Sequence, residues 1–137
     1  MQISPIRQQK YNNNFTALKK VQCWRKVSEG FRCSSLESRI MDELKELAKV
    51  NKFFKDNDVN AIVSVVGWTG TKIVLKSKPA AKTFVNKIKN LFVSPQLCVI
   101  SNNHVCPDES SYRVAKNLRE VKEGKKDIST IFTSWPN

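Results

Sequence analysis

The sequence predicts an α+β fold, ordered helix, strand, strand, helix, strand, with a three-stranded sheet and helices on one face. Three observations lead there. Leu36, Ile40, Leu44 and Leu47 recur at helical spacing just after Ser34. Two runs rich in β-branched residues, 59–66 and 71–76, flank Gly67-Trp68-Thr69-Gly70. A second helical stripe follows Pro79, and the apolar run Leu97-Cys98-Val99-Ile100 comes after Ser94-Pro95. Packing both helices against one side of such a sheet is the economical way to bury their stripes.

Residues 1–33 read as a basic arm. Asn12-Asn13-Asn14 and several glutamines break any period, and Arg7, Lys10, Lys19, Lys20, Arg25, Lys26 and Arg32 face one acid, Glu29. Phe15, Leu18, Val21 and Trp24, three apart, hint at a short helix inside it. The domain, residues 34–101, opens on Ser34 and Glu37, which have the spacing of a capping box. Phe53 and Phe54 extend the apolar surface of the first helix, and Asp56-Asn57-Asp58 ends it. In the first strand Val59, Ala61, Val63 and Val65 share one face, while Ile62, Ser64 and Val66 share the other. Strand alternation in the returning strand sends Ile73 and Leu75 one way and Lys72, Val74 and Lys76 the other. The second helix starts near Pro79, whose fixed φ suits a first turn, with Ala81, Phe84, Val85, Ile88, Leu91 and Phe92 on one broad face. The third strand spans 96–101. This order is that of small KH-like modules.

Residues 102–137 read as a polar connector holding Pro107, a short helix over 111–122, and an amphipathic tail. In the tail Ile128, Ile131, Phe132 and Trp135 follow an i, i+3, i+4, i+7 pattern. With 137 residues, 40% of them hydrophobic, the chain has material for one domain of about 70–100 residues plus arms. It has no apolar run of about 18 residues and no signal-peptide core at Met1-Gln2-Ile3-Ser4-Pro5. A cytoplasmic location with no membrane partner is therefore expected, and Cys23, Cys33, Cys98 and Cys106 are expected as free thiols.

Catalytic chemistry finds little to work with. The single histidine, His104, lies in the polar connector beside Asp108 and Glu109 without a carboxylate pair. Cys98, His104 and Cys106 invite a zinc reading but lack the paired short spacing of structural sites, and Cys98 suits the core of a strand. Four glycines and no Walker-type motif leave nothing to cradle a nucleotide phosphate. No enzyme, cofactor or metal is expected. The charge is more informative: 24 Lys and Arg against 12 Asp and Glu, a formal +12, favour a polyanion. Lys72, Lys76, Lys78, Lys82 and Lys89, on the hairpin and second helix, are the expected phosphate contacts, with Lys19, Lys20, Arg25 and Lys26 of the arm adding affinity without sequence preference. Ser77 and the helix start behind it would offer backbone N–H groups. Trp68, at the hairpin tip, either stacks on a base or folds back as a lid on the core, and the lid is preferred.

Residues 61–92 carry a further pattern. Gly70 is followed by Ile73-Val74-Leu75, and Ser77-Lys78-Pro79-Ala80-Ala81-Lys82-Thr83-Phe84 opens the second helix. This resembles the core of the DciA family, bacterial loaders of the replicative helicase, over about residues 36–100. The chain departs from the family in having Lys55-Asp56-Asn57-Asp58 before the first strand, Ala80 at a position often aromatic, and basic arms at both ends. The resemblance implies a KH-like domain that binds DNA, recruits a hexameric helicase and hydrolyses no nucleotide.

The expected function is thus a DNA-binding accessory protein of replication whose apolar tail, Ile128, Ile131, Phe132 and Trp135, meets a protein partner such as the helicase. Two alternatives stay open. One is an RNA-binding module, although Gly67-Trp68-Thr69-Gly70 lies between strands rather than between the helices of a KH clamp. The other is a protein–protein adaptor, viral or secreted into a host, with an acidic partner.

Overall fold

The computed structural model describes residues 18–23, 34–81 and 83–133, with 18–23 and Ser34 described by their backbone alone. The elements are β1 (Leu18–Cys23), α1 (Ser34–Val50), α2 (Lys52–Asp56), β2 (Asn57–Val66), β3 (Gly70–Pro79), α3 (Phe84–Asn90), β4 (Gln96–Asn102), α4 (Pro107–Lys122) and a 3₁₀ turn, Ile128–Ile131. The fold is α+β. Strands β2, β3 and β4 form the antiparallel three-stranded sheet, and β1 adds a fourth strand, parallel to β2, in the order β1-β2-β3-β4. The segment 18–23 is therefore a strand and not the short helix its spacing hinted at; its partners on β2, from Val59 to Val63, are β-branched or small.

Strand alternation decides where the core lies. Val59, Ala61 and Val63 of β2, Ile73 and Leu75 of β3, and Cys98 and Ile100 of β4 are all buried on one face. Ile40, Leu44 and Leu47 of α1 and Val114, Ala115 and Leu118 of α4 meet them there. Each Val, Leu or Ile among them contributes about 1.5–3 kcal/mol on full burial. The N–H of Val65 faces the side where β1 has already ended, and the buried carboxylate of Glu37 accepts it at 3.0 Å. A charge-assisted bond thus ties the first turn of α1 to the middle layer.

The second helix departs from expectation. β3 runs on through Pro79, which pairs with Asn57, so Ser77 is buried in the sheet rather than offering a helix start to a phosphate. α3 begins five residues later, at Phe84, capped by Thr83 Oγ1, which accepts from Asn86 N at 3.1 Å. Its apolar residues face solvent: Phe84 is 76% exposed and Phe92, just beyond it, 84%. The place beside α1 is taken by α4, which starts at Pro107 and buries Ser110, Ser111, Val114, Ala115, Leu118 and Val121. Ser110 Oγ lies 2.8 Å from Thr71 Oγ1, locking α4 to β3. A 3.6-residue period shows that a helix is two-sided; it does not say which helix wins the sheet.

The tail also turns inward. Ile128 and Ile131 are buried in the core, and Phe132 packs edge-on against Phe53 with ring centres 5.9 Å apart. Thr133 N donates to Val99 O at 2.7 Å on the free edge of β4. These three apolar residues close the domain, which corrects the expectation that they form a partner surface; Trp135 lies outside the described residues.

At the hairpin tip the left-handed backbone falls on Trp68 (φ 80°) and Gly70 (φ 112°). A Cβ on Gly70 would sit 2.2 Å from Asn102 O, whereas Gly124 (φ 82°) has open space around it. Gly124→Ala should therefore cost about 1–2 kcal/mol, and Gly70→Ala roughly 3 kcal/mol or more, as read by urea unfolding. The same assay should show Phe84→Ser with Phe92→Ser within about 0.5 kcal/mol of wild type, while Phe54→Ala loses about 3–5 kcal/mol.

Candidate functional site

The sheet face opposite the core stays open. Three rows cross it: Ser64, Lys72 and Ser101; Ile62, Val74 and Val99; Asn60, Lys76 and Leu97. Lys72 and Lys76 are exposed, and among the described residues neither has an acidic partner. Lys78 continues the line along β3, its Nζ donating to Asn90 O at 3.0 Å, while Asn90 Nδ2 donates to Pro79 O at 2.6 Å. These two bonds hold the end of α3 to the end of β3. Lys87 and Lys89 are exposed on α3. Lys20 stands in register with Asn60, in the row of Lys76, and Lys19 lies beside it on β1. Arg25, Lys26 and Lys82 lie outside the described residues.

Two depressions dent this face. The larger, about 510 Å³, lies below the hairpin tip and is bounded by Ser64, Gly70, Lys72, Ser101 and Asn103, among others. The smaller, about 240 Å³, is lined by Ile62, Ser64, Lys72 and Val74. Ser64 and Lys72 belong to both. Trp68 stands at the tip beside Thr69 and Gly70, 69% exposed. It is not a lid on the core. Its N–H donates to Val105 O at 3.3 Å, which ties the tip to the loop after β4. Ser64 and Ser101 were not singled out from the sequence; their signal is parity, since each shares the lysine-bearing face.

The electrostatics of the two layers differ. Residues 57–102 carry six lysines against Asp58 alone, whereas 34–56 carry five bases and five acids, and 103–137 six bases and five acids. On the helical layer the charges pair: Arg119 Nε lies 2.7 Å from Glu43, Arg113 Nε 2.7 Å from Glu109, and Lys126 Nζ 2.9 Å from Glu120. The hydrogen bond from Arg119 to Glu43 raises the guanidinium pKa, and Lys126 lowers that of Glu120. The exposed pair Arg113–Glu109 adds little stability, about 0–1 kcal/mol. The effect of these pairs is to neutralise one side of the molecule.

Among the described residues, His104, Cys98 and Cys106 form no shared centre. His104 Nδ1 accepts from Cys106 N at 3.0 Å, a local turn contact, while Cys98 is buried between sheet and helices. Among the described residues no three His, Cys, Asp or Glu gather as metal ligands. Among them, too, no helix is long and apolar enough to cross a membrane. Comparison with protein-family models, curated proteins and solved structures finds no match, so function has to be argued from this geometry.

Burial pushes the Cys98 thiol pKa up, which suppresses the reactive thiolate. Brief iodoacetamide treatment with peptide mapping should label the exposed Cys106 in the native protein and reach Cys98 only after denaturation.

Proposed function

We propose that this protein is a non-enzymatic nucleic-acid-binding module that lays the open face of its sheet against a phosphate backbone. The segregation of charge carries the proposal. Among the described residues the helical layer is close to neutral, while Lys72 and Lys76 stand on the open face with no acid bonded to them and Asp58 is the one acid of that face. Phosphates supply the missing counter-charge, and binding releases the cations condensed on the nucleic acid. The arm, with seven bases and one acid, would lengthen the footprint.

DNA is the first candidate polyanion. The resemblance to helicase loaders would supply a hexameric helicase as protein partner, and one observation favours a protein partner of some kind. Phe84, Leu91 and Phe92 present a cluster of large apolar groups on and after α3, away from the core. Soluble domains seldom leave such a cluster uncovered. A partner would thus engage α3 rather than the tail. Co-purification that survives nuclease treatment and is lost with Phe84→Ser and Phe92→Ser would support that second role.

The backbone reading makes a quantitative claim. Replacing both Lys72 and Lys76 by Gln should flatten the slope of log affinity against log salt by roughly 1.4–1.8. Replacing Lys45 and Lys122 on the helical layer should leave it unchanged. Equal effects from both pairs would refute a directed surface.

A further inference from the structure

Trp68 combines three properties that packing does not explain. It is a bulky aromatic residue, it is 69% exposed, and it occupies left-handed backbone at φ 80°. Side chains of its size rarely adopt that conformation, and strain of this kind tends to collect at functional positions. Gly67, its neighbour, has open space around it, so the tip is not crowded into this shape by packing on that side. The backbone is nevertheless pinned, through Trp68 N to Val105 O at 3.3 Å and Thr69 N to Val66 O at 3.4 Å. Trp68 is therefore carried on a fixed platform, and the next two residues of the turn, Thr69 and Gly70, line the depression that Lys72, Ser64, Ser101 and Asn103 also border.

We infer that this end of the sheet is a binding site for an unpaired nucleotide, with the base stacked on Trp68 and a flanking phosphate on Lys72. The inference rests on the nucleic-acid reading above and narrows it to single strands. A stacked base must be free of its complement, because in a duplex both faces of each base are already covered. An indole accepts any base, since every base has a π-face, so the site selects strandedness rather than sequence. The hydroxyl of Ser101 and the amide of Asn103 offer hydrogen bonds to the edge of a base or to its sugar. Lys76 and Lys78, farther along β3, would track the backbone as it leaves the site.

The test measures binding of the full chain to fluorescein-labelled oligothymidylate, oligouridylate and a DNA duplex of equal length. Wild type should bind both single strands more tightly than the duplex. Trp68→Gly removes the ring and relieves the left-handed backbone. It should weaken single-strand binding about tenfold or more, leave duplex binding and the salt slope alone, and melt no lower than wild type. Trp68→Phe should keep most of the affinity. If Trp68→Gly binds single strands like wild type while the Lys72 and Lys76 substitutions still flatten the slope, stacking is refuted and the backbone reading survives. If it melts lower, the ring is a packing element and the inference is likewise refuted. Failure of wild type to bind any of the three probes removes both.

Discussion

Alternation along β3 governs this molecule. Ile73 and Leu75 are committed to the core, so Lys72, Val74 and Lys76 must face the other way. A slip of one residue in pairing with β2 would exchange the two sets and bury ammonium groups against Leu44 and Leu118. Burying unpaired charges costs far more than any gain the slip could bring. The register is thus enforced by the core, and the charge of the open face follows from it. Gly70 secures the start of the register, since only a residue without a Cβ lets the backbone pass this close to Asn102.

Much of this was legible in the residues. The two-faced patterns of β2 and β3 are read directly from Val59 to Val65 and from Ile73 to Lys76, and the stripe from Ile40 to Leu47 identifies α1. The competition between two amphipathic helices was not legible. Phe84, Val85, Ile88 and Leu91 look as much like a core face as Val114, Leu118 and Val121 do. What separates them is tertiary: α4 also brings small buried Ser110 and Ser111 against the sheet, letting its backbone approach β3 through Thr71. The tail posed the same problem, because Ile128 and Ile131 have helical spacing whether they fill a core or await a partner. For the candidate site, Lys72 and Lys76 follow from parity, whereas Lys78 was expected on the margin of the second helix and lies on β3 instead; the exposure of Trp68 depends on a turn whose positive φ falls on the tryptophan rather than on Gly67.

The joints of the domain are polar and few. Glu37 meets Val65 N–H where β1 has run out, and Ser110 meets Thr71 beneath the hairpin tip. Both are buried, so each leaves an unsatisfied partner if broken. They lie at the same end of the sheet as Trp68. This end is consequently held from both sides, by α1 through β2 and by α4 through β3. A strained, exposed side chain persists only where the surrounding structure over-determines it, and these bonds supply that determination.

A surplus of twelve positive charges ought to strain a domain of this size through self-repulsion. Its distribution limits the damage. The layer that must fold tightly, α1 against α4, is balanced in formal charge, with Arg119 reaching Glu43 across the helix interface. Among the described residues the surplus sits on the open sheet face and α3, where water and salt screen Lys72, Lys76, Lys87 and Lys89. Repulsion among Lys72, Lys76 and Lys78 is then tolerated in the free protein and relieved when an anionic strand lies between them. On the proposed function, the residues that contribute least to folding are those with the most to gain from a polyanion.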